Sequence, residues 1–259
     1  MDLRLTGRRA VVTGGSRGIG LAVARALAAE GAAVALVARD AQQVRDRAAQ
    51  LSAETGARVI GIAADTGDDA SVAAMAADAV HALGGVDILV NNAATTNPGA
   101  IPDDNLEAEI NIKVRGYLRC ARAFAPAMAQ RGWGRIINIG GVAARQSGSV
   151  TGSIRNVAVA AMTKNLADEL GASGINVTVV HPGGTRTETM LGVADRLAAA
   201  RGITRKDAEE QMAASVSIGR LVEPEEVAAV VAFLASPLSV AINGDAVIAS
   251  GGVKGPIHY

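Results

Sequence analysis

A doubly wound α/β sheet of seven parallel strands, with helices on both faces, is the fold class this sequence predicts. Two observations carry it. Short β-branched runs alternate with longer Ala-rich segments of helical period along the 259 residues, the pattern of repeated strand–helix–strand units. The strand candidates are also apolar at nearly every position rather than at alternate ones, so both faces of the sheet must be covered.

The strands read in order as RRAVVTGG (8–15), AAVALVAR (32–39), RVIGIAAD (58–65), VDILVNNA (86–93), GRIINIGG (134–141), INVTVVHPGG (175–184) and DAVIASGG (245–252). Between them, segments such as 22–29 and 70–79 are Ala-rich, which favours helix over disorder. No Pro-rich linker, internal repeat or low-complexity tail interrupts the pattern, so residues 1–259 are expected to form one domain.

Charge and cysteine content narrow the function classes. Lys plus Arg (25) balances Asp plus Glu (25) with no run of like charge, which argues against a nucleic-acid partner. The single Cys120 forms no internal disulfide framework, and MDLRLTGRRAVVTGG lacks the layout of a signal peptide; a reducing cytoplasm is the expected location. No apolar run reaches the roughly 18 residues that span a bilayer, so no membrane partner is expected. No metal centre is expected either.

The first chemical motif is TGGSRGIG, Thr13 to Gly20, placed between the first strand and the first helix. Gly14, Gly18 and Gly20 suit a tight turn, close backbone approach to a pyrophosphate and close helix packing. Ser16, Arg17 and Ile19 fill the loop, and the following helix presents unpaired N–H groups and a positive dipole end. At the end of the second strand stand Ala38 and Arg39, where a carboxylate would bind a ribose 2′-hydroxyl; Arg39 with Arg17 suits a 2′-phosphate instead. NADP(H) is therefore favoured, with NAD(H) the other option.

Four ordered motifs, TGGSRGIG, NNAA (91–94), HPGGTRTETM (181–190) and NGDAVIASGG (243–252), make the chain resemble the short-chain dehydrogenase/reductase family over nearly its whole length. The resemblance implies a Rossmann-type fold and a nicotinamide dinucleotide. It puts Asn91 and Ala93 along the adenosine side, Asp65 with Thr66 at the adenine, and Pro182, Gly183, Thr185 and Thr187 near the nicotinamide, Thr187 reaching its amide. It also makes 188–215 a lid over a small-molecule substrate. Helical spacing turns Met190, Leu191, Leu197 and Met212 inward, either onto an apolar substrate or onto the lid's own core. A homodimer or homotetramer through the helices near 104–131 and 153–172 is implied as well.

The family's proton chemistry uses a helical Asn, a Ser, a Tyr and a Lys four residues after that Tyr. This chain has two tyrosines, Tyr117 and Tyr259, and no Tyr-x-x-x-Lys. Registering MTKNLADEL on the family pattern puts Gly152 at the Tyr position and Asn156 at the Lys position; IINIGGVA puts Gly141 at the Ser position, and Lys113 takes the place of the Asn. The loop from Gly141 to Gly152 is also shorter than usual. Lys113, Asn156 and His181 are the candidate catalytic residues: an ammonium, a neutral hydrogen-bonding group for the ribose, and an imidazole at a strand end. Arg155 reads as an anion clamp or as an interface residue. Ser147, Ser149, Thr151 and Ser153 read as loop or cap hydroxyls. Three functions stay open: a reductase with an unusual proton source, a non-redox cyclase, isomerase or dehydratase, and a nucleotide-binding protein without turnover.

Overall fold

The computed structural model describes residues 1–94 and 106–255. Its strands are β1 (Arg9–Thr13), β2 (Ala33–Ala38), β3 (Val59–Ala63), β4 (Ile88–Asn91), β5 (Gly134–Ile139), β6 (Ile175–Pro182) and β7 (Ala246–Ala249). All pair in parallel in the order β3-β2-β1-β4-β5-β6-β7. The order reverses between β1 and β4, so the crevice beyond their carboxyl ends is where an open α/β sheet takes a ligand.

Helices α1 (Gly18–Ala29), α2 (Ala41–Thr55) and α3 (Asp69–Leu83) follow the first three strands. One face of the sheet is covered by Val23, Leu27, Val44, Leu51, Val227 and Val231, the last two from α9 (Pro224–Ala235). The other is covered by Val72, Met75, Phe124, Met128 and Leu166. Burial of both faces is the reason the strands are apolar throughout.

The segment predicted as one helix near 104–131 is broken into three pieces, and residues 104 and 105 lie outside the described residues. A short α4 (Leu106–Glu109) runs into a π turn (Ile110–Arg115) and then into α5 (Gly116–Gln130), which contains Pro126. A π turn carries one extra residue per ring, and such insertions rotate the side chains that follow. Lys113 lies within this turn and is 5% exposed.

Helix α6 (Val150–Leu170) packs on β6 but leaves Val150, Ile154 and Val157 exposed in one row. The predicted lid is a helix pair, α7 (Glu188–Arg201) and α8 (Arg205–Ala213), joined at Gly202 in the left-handed region. Leu197 and Met212 pack against Ala194, Ala198 and Ala208, so these two belong to the lid's own core; Met190 and Leu191 are half-buried outside it. No helix among the described residues is long and apolar enough to cross a membrane.

Candidate active site

The Gly-rich loop is built by backbone contacts that leave no room for side chains. A Cβ on Gly14 (φ +63°) would lie 2.8 Å from Asn92 Nδ2 and 2.9 Å from Ala93 Cα, and one on Gly20 would overlap the Gly14 carbonyl. Two residues that sequence reasoning missed hold this shape. Thr13 Oγ1 accepts from the N–H groups of Asn92 (3.0 Å) and Ala93 (3.1 Å), while Asn92 Nδ2 donates to the carbonyls of Thr13 (3.1 Å) and Gly14 (3.0 Å). The signal was present in the Thr of TGGSRGIG and the second Asn of NNAA.

Asn91, expected beside the adenosine, is fully buried. Its Nδ2 donates to Asn138 Oδ1 (2.9 Å) on β5 and to the Tyr117 carbonyl (3.3 Å). Asn138 in turn donates to Thr163 Oγ1 (2.9 Å) on α6, and Thr163 donates to the Val159 carbonyl (2.8 Å). The side chain of Asn91 therefore ties β4 to β5, because the pleat at the end of β4 turns Asn91 inward and Asn92 toward the loop.

The loop fits a dinucleotide. Helix α1 starts after Arg17 with no side-chain cap, which leaves first-turn N–H groups for an anion. Ser16 is buried in the loop, and Ile19 is half-buried on the first turn of α1. Asp40 is committed elsewhere: its carboxylate caps α2, accepting from the N–H groups of Gln42 (3.0 Å) and Gln43 (2.9 Å). Among the described residues Arg17 and Arg39 are exposed and have no ion pair, so both cations are available at the end of β2. Asp65 is exposed and accepts from the Gly67 N–H (2.8 Å); Thr66 is buried against the π turn, Oγ1 donating to the Ile112 carbonyl at 3.5 Å.

Beyond β6, Pro182 is buried and Gly183 follows it half-buried; Thr185 bridges to Val222 and donates to the Gly183 carbonyl (3.2 Å). Thr187 caps α7, and its methyl group would be 3.2 Å from a Cβ on Gly18. Helix α7 thus begins directly on the Gly-rich loop.

The candidate catalytic residues converge on the Gly140–Gly141 step at the end of β5. Lys113 Nζ donates to the Gly140 carbonyl (3.0 Å). Burial, helped by the nearby Arg155 guanidinium and opposed by Glu109, pulls its pKa from 10.5 down to about 7. Asn156 is 2% exposed; its Nδ2 would be 3.0 Å from a Cβ on Gly141, and its Oδ1 is buried without a hydrogen-bond partner. His181 is fully buried beneath this step, with Nδ1 accepting from the Gly141 N–H (3.0 Å), so that nitrogen is committed to the backbone.

Four further side chains bear on the proton chemistry. Tyr117 is buried behind β5, donates to the Ile139 carbonyl (3.1 Å), and has its pKa pushed well up by burial. Ser149 caps α6: its Oγ accepts from the Gly152 N–H (3.0 Å) and would be 2.8 Å from a Cβ on Gly152, with Ala143 Cβ at 3.4 Å. Ser153 donates to the Gln146 carbonyl (3.3 Å). Arg155 proves to be neither a surface residue nor an open clamp, for it forms a largely buried ion pair with Glu109. The pair joins α6 to the turn that carries Lys113.

Comparison with known proteins agrees with this architecture. A family model described as enoyl-(acyl carrier protein) reductase matches residues 14–254. The short-chain reductase protein NovJ of Streptomyces niveus is 37% identical over 247 residues, 94% of this chain and 92% of its own length. The solved L-sorbose reductase of Gluconobacter frateurii, complexed with NADPH and L-sorbose, superposes with a TM-score of 0.93 at 31% identity, covering 99% of this chain and 100% of that one. An actinorhodin polyketide ketoreductase variant with NADPH gives 0.87 at 32% identity, over 94% and 96% of the two chains. With its parallel seven-stranded sheet, its Gly-rich loop and these relatives, the chain belongs to the short-chain dehydrogenase/reductase family of oxidoreductases.

Proposed function

We propose that this chain is an NADP(H)-dependent reductase of a small, apolar carbonyl compound in which Lys113 takes over the proton transfer that the family assigns to Tyr and Lys. The observation that carries this reading is the buried amine of Lys113, 3.0 Å from the Gly140 carbonyl beside Gly141 and Asn156. An ammonium with a pKa of about 7 is well matched to proton donation at neutral pH.

Gly14, Gly18, Gly20 and the start of α1 would hold the pyrophosphate, Arg17 and Arg39 the 2′-phosphate, and Asn156 Oδ1 a ribose hydroxyl. Bound NADP(H) supplies the hydride. Lys113 gives its Nζ proton to the alkoxide oxygen and regains one from solvent, while Met190 and Leu191 at the start of the lid shelter the apolar part of the substrate. The NADPH complexes of L-sorbose reductase and the polyketide ketoreductase support the choice of cofactor. The reading includes a homodimer or homotetramer through α5 and α6, supported by the exposed row Val150, Ile154 and Val157. It also includes a reducing cytoplasm, where the lone buried Cys120 stays a thiol.

A second reading, a dinucleotide-binding protein without turnover, is favoured by Ser149 and Ala143, which crowd the position that a Tyr at 152 would need. Incubation with NADPH and a broad carbonyl panel, followed by absorbance and product mass spectrometry, separates the two. Alcohol formation that disappears in Lys113→Met supports the reductase. Tight NADPH binding with no consumption across the panel supports the second reading.

A further inference from the structure

We propose that Glu188, the first residue of the lid, governs dinucleotide affinity: its carboxylate sits at the anion-binding mouth of the Gly-rich loop and must leave when a pyrophosphate arrives. The inference rests on the dinucleotide reading above.

The geometry is specific to this residue. A Cβ built on Gly18 would lie 3.5 Å from Glu188 Oε2, and 3.2 Å from the methyl group of the preceding Thr187. Gly18 is the first residue of α1, which has no side-chain cap, and Glu188 is the first residue of α7. Two helix N-termini therefore meet at one carboxylate, and each favours negative charge there. Among the described residues Glu188 makes no ion pair and no side-chain hydrogen bond, and it is exposed. Nothing but the helix ends holds it in place.

A pyrophosphate seated on the first-turn N–H groups of α1 would put like charge beside that carboxylate, and the two would repel. Glu188 must then swing away. Thr187, the residue before it, caps α7, accepting from the Met190 N–H (3.4 Å), and its methyl group lies against Gly18, so the start of α7 is held beside the loop while the exposed Glu188 side chain can turn away.

Calorimetric titration of the full chain with NADPH, and separately with inorganic pyrophosphate, tests this in the natural protein, Glu188→Gln and Glu188→Lys. Glu188→Gln is expected to tighten both ligands about three- to tenfold at low ionic strength, with Glu188→Lys tighter still. The gain should shrink between ~20 mM and ~200 mM salt as screening grows. Equal or weaker binding by Glu188→Gln overturns the inference, and a lowered melting temperature with unchanged affinity assigns Glu188 to helix-end stabilisation alone. If neither the natural protein nor any variant binds NADPH or NADH, the dinucleotide reading itself fails and takes this inference with it.

Discussion

The glycines at the two ends of the crevice are alike in sequence and opposite in physics. At Gly14 and Gly20 an added Cβ meets the Asn92 amide and, with it, backbone, the Ala93 Cα and the Gly14 carbonyl, which cannot yield without moving β1, β4 or α1. At Gly141 and Gly152 it meets the ends of side chains, Asn156 Nδ2 at 3.0 Å and Ser149 Oγ at 2.8 Å, which can rotate. Gly141 is extended (φ 171°), a conformation open to any residue, whereas Gly14 and Gly18 have positive φ. The first set is glycine because the backbone requires it. The second set is glycine because its neighbours have settled into the space.

The strongest way to break this comparison is Gly20→Ala. It is expected to cost about 3 kcal/mol or more, since a methyl group against a backbone carbonyl forces the loop off α1, and to abolish NADPH binding by calorimetry. Retained binding would remove the distinction.

Lys113→Met comes next. In the proposed reaction it should lower reduction roughly 10²- to 10⁴-fold, the usual value of a positioned acid. The natural rate should fall as pH rises above about 7, where the ammonium donor is lost. Stability moves the other way. The folded pKa is about 7 against 10.5 for an ordinary Lys, so between these values the unfolded chain holds a proton that the folded chain has released. Stability must therefore rise from pH 7 toward 10.5 and be lowest below 7. Lys113→Met should flatten that rise and add of order 2 kcal/mol at pH 7, as thermal melts at several pH values will show.

Arg39→Ala should reduce the preference for NADPH over NADH about tenfold, measured as the ratio of the two dissociation constants. The smallest effects sharpen the comparison within the second set. Gly152→Ala should cost about 1 kcal/mol by pushing aside the Ser149 cap. Gly141→Ala should stay within about 0.5 kcal/mol, because only the Asn156 amide has to turn.

The sheet was legible because a β-branched, apolar run bounded by Gly leaves little choice of structure, and each of the seven runs became one strand. The Gly-rich loop was legible because its glycine spacing between a strand and a helix is itself the signal, although Asn92, 79 residues from Thr13, holds its shape. What escaped depends on partners far along the chain. That Asn91 faces inward and Asn92 the loop is set by Asn138, 47 residues away, and by Thr13, 79 residues away. The π turn that buries Lys113 has no local signature, since an extra residue in a helical ring is stabilised by the tertiary contacts it permits. Arg155 reads in the sequence as an anion clamp or an interface residue because its partner, Glu109, lies 46 residues away on a separate short helix. In the lid, alanines rather than the larger side chains form the buried centre, so Leu197 and Met212 found partners that hydrophobic spacing could not tell from a substrate.

The chain of amides from Asn91 through Asn138 to Thr163 works as a key for α6. Thr163 follows Asn156 by seven residues and Gly152 by eleven, two and three turns along the same face, so one helix hydroxyl docked on the Asn138 amide of the sheet indexes both positions. A slip by one residue would strand the buried amide of Asn138, a penalty that selects one seating. The helix is thereby an interchangeable cassette: a relative's segment with a hydroxyl at this point would dock in the same alignment, whatever chemistry it carried two and three turns upstream.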